Sequence, residues 1–484
     1  MLFVDPLFLF VFLPLALASW RMLGHFGVGE NGLLAAVIAV SLAFYSWTSV
    51  PYTLIPMFSV AVNWSAGMLM SRAPARAGWI AAAAVVLNLF QLGVFKYAEF
   101  LGGFMVNLAL PLGISFFTFQ QISYIIDVYK TRLHERSLLR YAFIVTFFPH
   151  LIAGPIVRYS EFRPQFPAFA LGRVLPRNRS LGVFLILVGL VKKIVFADTL
   201  APLADTYFSH SPEELRGQSA APMLLAGAAF YLQIYFDFSG YTDIAIGLAR
   251  LFNIKFPKNF DYPYAATSVS EFWHRWHITL SRFLRDYLYI PLGGNRATPP
   301  RVAVNLMVTM LLGGLWHGAA WNFVVWGGMH GLALVAFRAW KTLGMRMPVL
   351  LAWGVTQAFL VLTWIVFRAP SLSAALASIG SLGNVGGDAE LLTEMIQVCY
   401  ESNVFRPLLD AAPFQAPSTW VGMFIAVAWV VATFRISAES IARLRARPVV
   451  WTMALTALST LAAVVLWGRA VRSGHPDPFI YFQF

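Results

Sequence analysis

PMLLAGAAFYLQIYFDFSGYTDIAIGLA, residues 222–249, is the stretch on which the fold turns. An α-helix rises about 1.5 Å per residue, so the run is long enough to cross a hydrocarbon core of roughly 30 Å. Its middle nevertheless carries Gln233, Asp237, Ser239, Tyr241 and Asp243. A charge at the bilayer centre costs roughly 2.5–3.5 kcal/mol even on the mildest scale, which makes such residues functional candidates. Asp237 and Asp243 are not at helix-neighbour spacing and need not act as a pair.

Comparable runs recur along the chain. Over 484 residues, 59% are hydrophobic and 12% charged, and the mean hydropathy is +0.68, far from soluble averages. Candidate spans are 7–22, 32–49, 51–71, 79–95, 104–126, 180–197, 222–249, 302–319, 321–339, 349–367, 418–434 and 449–467. They leave no room for a sizeable soluble domain, and no internal repeat or low-complexity linker interrupts them. The expected fold is an all-α polytopic membrane helical bundle of about twelve spans, one domain over residues 1–484. The first segment contains Ala16-Leu17-Ala18 but follows Asp5 and lacks a basic leader region, so it reads as a retained helix. One cysteine, Cys399, excludes an intrachain disulfide and a thiolate metal cluster.

The net charge of +13 is tested first against membrane orientation. With the N-terminus outside, the inner segments collect Arg72 and Arg76, Lys130 to Arg140, Arg158 to Arg179, Arg275 to Arg301, and Arg435 to Arg447. The outer segments hold little beyond Lys96, Arg216, Arg368, Arg406, Arg469 and Arg472. The basic excess therefore reads as orientation of a multi-pass chain with both termini extracytoplasmic and membrane lipids as neighbours; the expected location is the cell inner (cytoplasmic) membrane. It lends no support to nucleic-acid binding. Residues 369–417 form an extracytoplasmic loop, with Asp388, Glu390, Glu394 and Glu401 as a docking surface or a merely solvated one.

Two stretches fail as simple spans. In FFPHLIAGPIVRYSEF, residues 147–162, Pro149, Gly154 and Pro155 break a helix, which fits a re-entrant element or a kinked span. In SVSEFWHRWHITLSRFLRDYLYIPLGGNR, residues 268–296, Phe272, Trp276, Leu280, Phe283, Leu284 and Leu288 recur at helical spacing, ended by Pro291 and Gly293-Gly294. That amphipathic helix is interfacial or faces a wet interior, and His274 and His277, three apart, would share one of its faces.

LLGGLWHGAAWNFVVWGGMHG, residues 311–331, adds His317 among Gly313, Gly314 and Gly318, and then His330. Glycines there permit close approach by a helix or ligand. A lone intramembrane histidine serves a helix-to-helix hydrogen bond as readily as chemistry, but several together favour proton transfer, which imidazole performs near neutral pH. No HExxH or comparable ligand spacing points to a metal, and neither GxSxG nor a P-loop is present.

FFPHLIAGPIVR, YFDFSGYTDIAIGL, EFWHRWHITLSRFLRDYLYIPLGGNR and LLGGLWHGAAWNFVVWGGMHG together resemble the membrane-bound O-acyltransferases, in particular the bacterial branch that includes the alginate O-acetyltransferase membrane subunit. The resemblance runs from about FKYAEF, near residue 95, to about residue 340. It implies acyl transfer inside a helical bundle, with His317 as the central catalytic histidine and His277 as the second. Asp237, Arg275, Trp276, Trp316 and Asn322 would line the substrate site. Similar sequences carry an arginine where His274 stands, so His274 inherits no role. The implied donor is cytosolic acetyl-CoA or another acyl-CoA, with no bound cofactor and no metal.

The chain ends in FIYFQF, residues 479–484, which resembles the branch's C-terminal acyl relay and makes Tyr481 a third catalytic candidate within a tail at 470–484. Extended chain from Arg472 to Tyr481 reaches roughly 30 Å, enough to return from the outer interface to the midplane. An aromatic anchor at headgroup depth is the alternative. The implied activity passes an acetyl group across the membrane to an extracytoplasmic acetyltransferase partner, which O-acetylates a polysaccharide. A lipid-modifying acyltransferase and a transporter are the rival readings.

Overall fold

The computed structural model describes residues 2–47, 49–102, 110–151, 154–384, 386, 389–403, 406, 416–433 and 448–472. Among these the regular elements are all helical, as lipid requires, since a helix meets its backbone hydrogen bonds within one segment. Seven helices are long and apolar enough to cross a membrane: Phe8–His25, Pro51–Arg72, Pro74–Lys96, Pro176–Phe208, Ala220–Leu251, Trp321–Thr342 and Val349–Arg368. Glu30–Ser46 and Pro417–Thr433, each expected to span, are shorter apolar helices. The expected 104–126, 302–319 and 449–467 spans correspond to helices Ile114–Thr131, Pro299–His317 and Pro448–Arg472.

The chain divides into two compact units. One comprises Met1–Ile186, Tyr241–Lys258 and Arg282–Leu288; the other comprises Leu187–Gly240, Asn259–Ser281 and Tyr289–Phe484. In the first, Phe3, Phe8, Phe44 and Phe148 form an aromatic core with ring centroids 5.0–6.1 Å apart. Asn63 and Asn88 exchange amide hydrogen bonds of 3.1 and 2.7 Å, tying helix Leu54–Arg72 to Ala77–Lys96. Intramembrane amides pair in this way because lipid offers them no partner. The 147–162 stretch is broken as its prolines predict, into helical turns Phe148–Leu151 and Tyr159–Phe162 with non-helical backbone at 154–158.

In the second unit, helices Pro299–His317 and Trp321–Thr342 form the most extensive helix pair. Their glycines explain it: a Cβ on Gly314 would overlap the Phe323 carbonyl, and one on Gly327 the Met310 carbonyl. Lys193 is buried in the π-helical turn Val191–Ala197, 2.8 Å from Asp198 and 2.5 Å from Asp237. Residues 369–417 are not a simple solvated loop. They contain helices Leu372–Gly380 and Glu390–Ser402, and the latter buries Leu391, Met395, Cys399 and Tyr400. The Cys399 thiol donates to the Thr199 carbonyl at 3.3 Å. Glu390, Glu394 and Glu401 lie on its exposed side, while Asp388 falls outside the described residues.

Two substitutions test these supports by thermal unfolding of the purified chain in detergent. Gly327→Ala forces a methyl against backbone and should destabilise by about 1–3 kcal/mol. Lys193→Met strands two buried carboxylates and should cost about 3–5 kcal/mol, most of it recovered by adding Asp198→Asn and Asp237→Asn.

Candidate active site

The segment expected to be one amphipathic helix is two. Ser268 caps the first, its side chain accepting from the Glu271 N–H at 3.2 Å, and helix Val269–Arg275 follows. Trp276 is extended at φ −99°, ψ 132°, and His277 has φ 41°, a left-handed conformation costing roughly 1–2 kcal/mol for a residue with a Cβ. The helix resumes at Ile278. The break separates the two histidines that were to share a face. His274 is exposed, its Nδ1 2.6 Å from the carbonyl oxygen of Ser270 in its own helix. His277 is fully buried.

Asn259 holds the break together. Its carbonyl accepts from the Ile278 N–H at 2.8 Å. Its side-chain oxygen accepts from the Thr279 N–H at 3.1 Å and the Thr279 hydroxyl at 2.9 Å. A backbone N–H only donates, so this atom is the amide oxygen, and His277 Nδ1, 3.2 Å away, must donate to it. The tautomer follows: the proton sits on Nδ1 and the lone pair on Nε2. Burial pushes this imidazole down to about 3, so it is neutral at pH 7.

His277 is packed edge-on against Phe238 at 4.8 Å and lies 6.1 Å from Trp316, centroid to centroid. Trp316 contacts His317 at 5.0 Å, and His317 contacts Trp326 at 5.2 Å and Phe367 at 5.4 Å. Trp276 joins through Trp364 at 5.0 Å. The structure thus brings His277, Trp276, Trp316 and His317 into one buried aromatic cluster within the second unit. His317 closes helix Pro299–His317, and Trp326 sits one turn into the helix after it. Neutral and tautomer-fixed in a buried aromatic setting, the His277 imidazole presents a hydrogen-bond acceptor at Nε2, while its lowered basicity makes it a weaker proton acceptor than a free imidazole.

The other expected lining residues have structural partners. Arg275 is bound to Glu271 at 2.7 Å and to the Asp261 carbonyl at 3.2 Å. Asn322 donates to the Ala369 carbonyl at 2.9 Å, capping helix Val349–Arg368. Asp237 meets Lys193. Tyr481 lies outside the described residues. Sequence reasoning missed Asn259, which sits in KNFDYP and looks like an ordinary turn. It also passed over Lys193, although an ionisable residue inside the apolar 180–197 run was a readable signal. Trp326, Trp364 and Phe367 were indistinguishable from core aromatics.

These buried histidines, gathered by aromatic rings, sit in an all-α chain with helices long and apolar enough to cross a membrane. Residues 127–373 match the membrane-bound O-acyltransferase family, MBOAT. The chain belongs to that family and is an O-acyltransferase, an integral membrane enzyme. It is 38% identical over 432 residues to a peptidoglycan O-acetyltransferase of Helicobacter pylori, covering 80% of each chain. It is 38% identical over 403 residues to a probable alginate O-acetylase of Pseudomonas aeruginosa, covering 78% of this chain and 73% of that one. A teichoic acid D-alanyltransferase of Streptococcus thermophilus is 30% identical over 238 residues, covering 47% and 57%.

The buried His277 carries a pH signature. Its value moves from an ordinary 6.5 down to about 3 on folding, so below 6.5 the unfolded chain binds a proton that the folded chain refuses. Stability from this group is complete above pH 6.5 and falls by roughly 1.4 kcal/mol per unit as pH drops toward 3. Unfolding midpoints of wild type and His277→Gln across that range should show a steeper acid loss in wild type.

Proposed function

We propose that the chain takes an acetyl group from cytosolic acetyl-CoA and passes it across the membrane for O-acetylation of an extracytoplasmic polysaccharide. The observation that carries this reading is the Trp316 ring flanked by two buried imidazoles, His277 and His317. Two of the relatives have names that join an acetyl group to a glycan, alginate or peptidoglycan. The chain would sit in the cell inner membrane, and the distribution of basic residues supports an orientation with both termini extracytoplasmic and the Arg275 segment on the donor side.

His317 acts as general base, removing the proton of an attacking hydroxyl, that of Tyr481 or of the acceptor. Attack on the thioester carbonyl expels the thiolate, which takes the proton back from His317. His277, held by Asn259, lies with its ring 6.1 Å from Trp316, while Trp276 and Trp316 supply apolar walls. Arg275, Asn322 and Asp237 serve the site through Glu271, helix Val349–Arg368 and Lys193. A separate extracytoplasmic acetyltransferase collects the acetyl group, docking on the exposed acidic side of helix Glu390–Ser402.

Purified protein incubated with labelled acetyl-CoA, followed by peptide mass spectrometry, tests the reading. Wild type should consume the donor and carry label on the C-terminal peptide. His317→Ala should lose about 10²–10⁴-fold in rate, and Tyr481→Phe should lose the label. Undiminished turnover by His317→Ala would remove it from the chemistry. Turnover without label in wild type, the acetyl group then passing to water, would overturn the relay through Tyr481.

A further inference from the structure

We propose that Trp326, Trp364 and His330 form a pocket of N–H donors that holds the acyl carbonyl oxygen beside His317 as it becomes an oxyanion. The inference rests on the acyl-transfer reading above and names the part of the site that reading leaves unassigned. All three side chains are fully buried. Their rings touch through Trp326, which lies 4.7 Å from His330, 5.7 Å from Trp364 and 5.2 Å from His317.

Each of the three presents a hydrogen-bond donor whose sense is settled by chemistry. An indole nitrogen only donates. Trp273 Nε1–H donates to His330 Nδ1 at 3.2 Å, so the neutral ring carries its own proton on Nε2. Trp326 Nε1, Trp364 Nε1 and His330 Nε2 have no acceptor among the described residues. One buried donor left unmatched costs about 1–3 kcal/mol. Phenylalanine at 326 and 364 would fill the same aromatic core without that cost, and here three such donors fall on touching rings next to His317.

The set fits one occupant. It has donors and no acceptor, so it does not suit a hydroxyl that must give up a proton. A carbonyl oxygen is matched, and better matched as charge grows on it, because preorganised donors in a water-excluded site act most strongly on developing charge. The hydroxyl oxygen bonds to the carbonyl carbon, its proton passes to His317, and the C=O π pair moves onto the oxygen held by the three N–H groups. When that pair re-forms the C=O bond, the C–S bond breaks and the thiolate leaves with its electrons, taking the proton from His317. Ester and thiol result.

The test uses full-length protein in detergent with Trp326→Phe and Trp364→Phe, each of which keeps an aromatic ring and deletes an N–H. Each should lower kcat for acetyl-CoA by about 10²–10³-fold with KM close to wild type and a melting temperature no lower than wild type. Infrared spectra of carbonyl-¹³C acetyl-CoA bound to the His317→Ala protein should show the carbonyl stretch below its frequency in water, and adding Trp326→Phe should move it back up. Wild-type kcat in both variants, or a stretch unchanged by Trp326→Phe, would overturn the pocket alone if His317→Ala is inactive. A fall in kcat that tracks a lower melting temperature with an unchanged stretch would also overturn it. No binding or turnover of acetyl-CoA by wild type would overturn the pocket together with the reading beneath it.

Discussion

A polar group placed in hydrocarbon has no water to fall back on, and the structure is arranged around that constraint. Asn63 and Asn88 satisfy each other across two helices. Lys193 gathers Asp198 and Asp237 around a π-helical turn. In each case the cost of burying one group is offset by a partner from elsewhere in the chain, so the polar residues specify which helices meet and in what register. The apolar faces alone would not, since lipid is as good a neighbour for leucine as another helix is.

The same constraint shapes the candidate site. His277 sits in a left-handed conformation at the junction of two short helices, and Asn259 holds it with both its backbone and its side chain. One residue thereby supports the strained backbone, selects the imidazole tautomer and orients the ring toward Trp316. Strain that the surroundings over-determine in this way is typical of functional sites. Around it the indoles of Trp316, Trp326 and Trp364 are buried and place N–H groups in an otherwise apolar wall.

Much of this was legible before any coordinates. The apolar runs forecast an all-α membrane chain, and helices stand at each forecast span, although several are shorter or more polar than a full crossing needs. Pro149 and Pro155 announced the break in their segment, and Gly314 announced a close helix crossing. The FWHRWH stretch misled because its apolar spacing is helical on both sides of a one-residue break, and periodicity does not register a single change of φ. The helices within 369–417 were not legible because a helix of this length buries only a narrow apolar stripe, here Leu391, Met395, Cys399 and Tyr400.

The sequence by itself determined that the chain lives in a membrane, that it is helical, and that its histidines are candidates for chemistry. These follow from local quantities, namely hydropathy, helical period and the price of burying charge. Only the tertiary structure decided which histidine is exposed and which buried, that Asn259 sets the His277 tautomer, and that Lys193 claims Asp237. It also decided that Trp326, Trp364 and His330 share one cluster. Those facts depend on contacts between residues far apart in the chain, where a side chain's partner, and so its protonation and its role, is chosen by packing rather than by its neighbours in sequence.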